Sequence, residues 1–133
     1  MASTATTSAS VIYTPPLGSP NSGSATFQTA SAYNAMNVGT MDVPAGTLPG
    51  TLFPVPFGTV GSAKVLIVKN TTSDEVGFRM NGAGADIFRL TASGVFHIEM
   101  PSGPTLAPVT DATIVILTSP AVLNQIQYFV FGD

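Results

Sequence analysis

The 133-residue chain contains no cysteine and no tryptophan, a single histidine, and only 8% charged residues. Without cysteine, neither a disulfide framework nor a thiolate metal site can be built. Four fixed positive charges, Lys64, Lys69, Arg79 and Arg89, stand against seven acidic side chains, giving a formal net charge of −3. Phosphate binding needs several clustered cations, so no nucleic-acid partner is expected. The lack of tryptophan, with only Tyr13, Tyr33 and Tyr128 as tyrosines, removes the usual stacking platforms for sugars. No run approaches the ~20 apolar residues that a membrane-spanning helix requires, and no membrane partner is expected. The opening MASTATTSAS lacks the basic and apolar segments of a secretory signal, so synthesis and maturation in a cytosol are expected.

What is present is a chain that is 44% hydrophobic yet carries about a third of the usual charge. Two readings fit. Much of the surface is covered in service by other protein surfaces, or Ser, Thr, Asn and Gly supply the polarity instead. The length suits one domain able to bury roughly two-thirds of its unfolded surface.

The most informative stretch is Ala63–Asn70, AKVLIVKN. In strand geometry Val65 and Ile67 lie on one side, Leu66 and Val68 on the other, so both faces are apolar. That is the pattern of an interior strand. Ala112–Thr118 reads the same way. Cleaner alternation follows in Glu75–Met80, with Val76, Phe78 and Met80 on one face, and in Val95–Met100, where Phe96, Ile98 and Met100 oppose His97 and Glu99. Asp86–Thr91 and the aromatic Gln125–Phe131 complete the C-terminal strands. Ala25–Thr29 and Asn37–Val43 are weaker candidates, and Ser119–Pro120 has the form of a capped helical turn. Leu52–Phe57 contains Pro54 and Pro56, which cannot donate to a ladder, and belongs at an edge or in a polyproline-like extension. Strands every eight to twelve residues with Gly/Pro turns predict an all-β protein, a jelly-roll-like β-sandwich over residues 25–133.

Residues 1–24 are rich in Ser, Thr, Ala, Gly and Pro and are expected to form an extended N-terminal arm with too little to bury alone. Val11, Ile12 and Tyr13 form an adhesive patch beside the stiff Pro15–Pro16, suited to ordering on a neighbouring subunit. A frayed tail is the plain alternative. With Phe53 and Phe57 of the edge segment, these are the candidate partner-binding residues.

Chemical motifs are sparse. Asn81–Asp86, NGAGAD, lacks the Lys-Ser/Thr and the following helix of a phosphate loop and reads as a hairpin turn. His97 shares a strand face with Glu99; a solvated His–Glu pair accounts for it more simply than a nucleophilic triad. Asn70–Thr72 matches a glycosylation acceptor but reads as a turn. No catalytic residue, metal ligand or cofactor site is assigned, and no enzymatic activity is expected.

The segments Ala63–Thr72 (AKVLIVKNTT), Val76–Phe78 (VGF), Phe88–Ile98 (FRLTASGVFHI) and Ile126–Asp133 (IQYFVFGD) together resemble small virion proteins of tailed bacteriophages. In that group an Ile/Val-Lys-Asn strand and turn, a leucine-plus-glycine turn and a final aromatic strand ending in Gly-Asp recur. The resemblance implies a capsid decoration (cement) protein, made in the bacterial host cytoplasm and placed on the capsid surface. Its partners would be the major capsid protein or other virion proteins. A neck, tail or head-fibre component, or a carbohydrate- or receptor-binding jelly-roll module, is the alternative. The low charge and the two strands apolar on both faces add the expectation of a homo-oligomer, with three copies as the expected number.

Overall fold

A computed structural model describes residues 3–13, 23–99 and 108–133. Among these residues there are ten strands and no helix. β1 (Ser3–Tyr13) and β2 (Gly23–Tyr33) pair with each other as a two-stranded ribbon. β3 (Ala35–Val43), β5 (Ala63–Asn70), β8 (Val95–Glu99) and β10 (Asn124–Gly132) form one four-stranded sheet in the order β3-β10-β5-β8. β4 (Leu52–Pro54), β6 (Val76–Met80), β7 (Phe88–Leu90) and β9 (Ala112–Ile116) form the second, in the order β4-β9-β6-β7. All pairings are antiparallel. The expected all-β sandwich is what the chain forms.

The strand order is nested. β3 pairs with β10, β4 with β9, β5 with β8 and β6 with β7, as if one long hairpin had been wound across two layers. β5 and β9, the two segments singled out for unbroken apolar runs, are both interior strands. β4, interrupted by prolines, is an edge.

The core lies between the sheets. Val43, Ala63, Leu66, Val68, Ile126, Tyr128 and Val130 from the first sheet meet Val76, Phe78, Leu90, Ala112, Ile114 and Ile116 from the second. Phe78 and Phe88 of the second sheet close on Phe96 of the first, with ring centroids 4.8 to 5.0 Å apart. Three rings thus bridge the layers on the β7–β8 side.

Two polar clamps hold the ends. Asn70 is fully buried at the end of β5. Its Nδ2 donates to the carbonyls of Asp74, Leu90 and Thr91 at 2.8 to 3.0 Å, while Oδ1 accepts from the Thr72 amide and hydroxyl. Every polar atom of the amide is satisfied, and the turn is tied to β7. At the opposite end Gly132 is buried against Ser62, where a methyl group would run into the Ser62 carbonyl. Asp133 there accepts from the Gly61 and Ser62 amides at 2.8 and 2.9 Å.

Three expectations are corrected. Residues 3–13 are not an unpaired arm: β1 is laddered to β2 along its whole length, and β2 runs through the expected boundary at residue 25. Pro15, Pro16 and Pro20 fall between the two strands in the sequence and lie outside the described residues. Ser119–Pro120 forms no helical turn; Pro120 is buried and its carbonyl accepts the Gly46 amide at 2.8 Å.

Candidate functional site

The outer face of the β3-β10-β5-β8 sheet, turned away from the core, carries three cross-strand rows. Thr40, Gln127, Lys69 and Val95 make the first; Val38, Phe129, Ile67 and His97 the second; Met36, Phe131, Val65 and Glu99 the third. Two of the three are largely apolar. This follows from strands β3, β5 and β10 having apolar residues at both parities, so that one set fills the core and the other must face outward.

The ribbon lies over the third row. Tyr33 meets Phe131 edge-to-face at 5.0 Å. Val65 is completely covered although it is not part of the inter-sheet core. The Glu99 side chain is only 7% exposed; it accepts hydrogen bonds from the Ser31 hydroxyl at 3.0 Å and from the Thr7 hydroxyl. Lys64 donates to the Ala32 carbonyl at 3.2 Å and pairs with Asp133 at 2.6 Å. The His97–Glu99 pair is therefore not a solvated one. Its carboxylate is sandwiched between β8 and the ribbon, and His97 Nε2 stands 3.5 Å away on the more open side. In the order Ser31–Glu99–His97 the carboxylate is in the middle. A nucleophile needs its base beside it, with the acid behind the base, so this order holds a ribbon rather than activating a hydroxyl.

The second row stays open. Val38 is 46% and Phe129 36% exposed, with Ile67 half-buried between β10 and β8. Met36, at the margin of the covered row, is 59% exposed. The apolar surface beneath the ribbon thus continues beyond it.

The residues singled out as partner contacts separate in space. Val11, Ile12 and Tyr13 close β1 opposite Ala25, Ser24 and Gly23; their side-chain contacts lie outside the described residues. Phe57 is buried in the core and Phe53 packs half-buried against the same cluster, so the expectation that they face a partner is corrected. Their period-two spacing with Val55 turned them inward, where Val55 is also buried. The residues that were missed, Met36, Val38 and Phe129, had a signal in the sequence: apolar residues at both parities of β3 and β10.

Elsewhere among the described residues, two features bear on small-ligand or metal binding. Among the described residues no group of three or more His, Asp or Glu side chains could hold a metal ion. The crevice between Val43, Thr72, Glu75, Val76, Ile116 and Pro120 encloses about 10 Å³, the space of a single water. Asn70, the residue of the glycosylation-type motif, is fully buried and fully bonded. What the arrangement provides, among the described residues, is an apolar sheet face with a ribbon laid across part of it. No family model, no curated protein and no solved structure matches this chain.

Proposed function

We propose that the chain is a structural virion protein of the capsid decoration type, which binds the outer surface of a phage head and stabilises it through protein–protein contacts. The observation that carries this reading is the open row Val38–Phe129–Ile67 beside the ribbon, an exposed apolar sheet face on a chain of unusually low charge. A contiguous exposed apolar patch on a sheet face supports a surface that binds other protein surfaces. The nested strand order supports reading the sandwich as jelly-roll-like, an architecture that recurs in viral structural proteins and lectins alike. Fold alone does not choose between those two. Lectin-type binding needs stacking platforms and a groove, and the described face is flat and built of Val, Ile and Phe. The mechanism is adhesion by many copies, each contact modest and the sum strong.

The experiment is co-sedimentation of the purified protein with heads of the phage that encodes it, followed by imaging of the decorated particles. The expected result is saturable binding at a fixed number of copies on the outer surface. A protein that stays in the supernatant at micromolar concentration, while binding a glycan panel, would overturn the reading.

A further inference from the structure

A sheet edge is a row of unpaired amide and carbonyl groups, and proteins blunt such edges by keeping them short, by placing proline or charge on them, or by covering them. Three of the four edges of this sandwich are treated in one of these ways. β4 is three residues long, ends in Pro54 and is followed by Pro56. β7 has three residues with Arg89 at its centre. β8 has five, and its Glu99 is held beneath the ribbon. The fourth edge, β3, is different. It has nine residues in unbroken register with β10, with no proline, lysine or arginine. Its only charge, Asp42, lies one residue from its end and accepts from Gln125 Nε2 at 2.9 Å. Among the described residues, the β3 backbone makes no hydrogen bond beyond its ladder with β10. The two outward side chains at its start, Met36 and Val38, are both exposed and apolar.

We propose that β3 is an assembly edge, which pairs antiparallel with β3 of a second copy of this chain across a two-fold axis. This deepens the functional reading above and rests on its premise that the chain works as associated copies. The strand is self-complementary in that arrangement. With the axis near Val38, Val38 opposes its own counterpart, Met36 opposes Thr40, and Ala35 opposes Met41. Asp42 stands beyond the start of the facing strand and does not meet the other Asp42, so no like charges collide. The two outer sheets join into one of eight strands, and the open rows Val38–Phe129–Ile67 of both copies become one continuous apolar band. The paired form therefore presents twice the face that the functional reading needs.

Light scattering of the full chain at micromolar concentration gives twice the monomer mass. Val38→Lys, which places the natural edge-blocking charge opposite itself, gives the monomer mass and still unfolds in one cooperative transition. Ile87→Lys, at an exposed position before β7, leaves the pair intact. Because the chain has no cysteine, Val38→Cys under mild oxidation yields a disulfide-linked dimer on a non-reducing gel, and Ile87→Cys does not. A wild-type protein of monomer mass, or of three copies, overturns the pairing, as does a Val38→Lys variant that keeps the doubled mass. A monomer that still co-sediments with heads overturns the pairing alone, whereas a dimer that fails to bind them supports the pairing and sinks the decoration reading.

Discussion

The sandwich and the ribbon are built from the same kind of strand but held by different forces. The sandwich buries Leu66, Phe78, Ile114, Ile126 and Val130 completely, and each such side chain contributes roughly 1.5–3 kcal/mol. The ribbon is made of Ser, Thr and Ala with few large side chains, and its described anchors are one ring contact, one lysine and one buried carboxylate. A two-stranded ribbon with no second layer is marginal in water. The comparison teaches that this ribbon is a docked element, ordered by the face it covers. The face, in turn, is left with its second row bare.

The largest effect expected is inside the sandwich. Phe78→Ala opens a cavity where rings from both sheets meet and should cost about 3–5 kcal/mol in denaturant unfolding; an effect below ~1 kcal/mol would show that the layers are not held by that cluster. Next is the buried clamp. Asn70→Ala removes the Nδ2 donor from the carbonyls of Asp74, Leu90 and Thr91, although Asp74 keeps the Thr72 hydroxyl and Thr91 the Gly94 amide, a loss on the order of 2 kcal/mol. Thr72→Ser keeps its hydroxyl and should lose far less.

Smaller effects belong to the ribbon and sharpen the contrast. Glu99→Ala removes the acceptor shared by Ser31 and Thr7. Amides of β1 and β2 should then exchange about tenfold faster, equivalent to ~1.4 kcal/mol of local opening. The unfolding midpoint of the sandwich should barely move, since its inter-sheet core is intact. His97→Gln should change stability by about 0.5 kcal/mol or less, because the carboxylate, not the imidazole, receives the ribbon hydroxyls. A His97 variant as disruptive as the Glu99 one would mean the pair acts as a unit.

The sandwich was legible because its strands obey hydrophobic pattern rules. The double-sided apolar runs of β5 and β9 pointed to interior strands, and Pro54 and Pro56 to an edge. The ribbon was not legible, because Ser, Thr and Ala strands carry no apolar alternation, and the composition of residues 1–24 reads as an arm with too little to bury. The burial of Glu99 depends on Thr7 and Ser31, 92 and 68 residues away in the chain, and no local pattern encodes that meeting. Phe53 and Phe57 show the converse error: a proline-flanked segment can be at an edge and still turn its rings inward. Met36, Val38 and Phe129 were readable in principle, since a strand apolar at both parities must show one set to the outside unless something covers it.

Hydrogen exchange of the isolated protein, followed peptide by peptide, tests the division most directly. Residues 3–13 and 23–33 should exchange well before β5, β9 and β10, whose amides open only with global unfolding. Equal protection of ribbon and sandwich, lost together in one cooperative step, would contradict the account of a self-sufficient sandwich with a ribbon docked on its outer face.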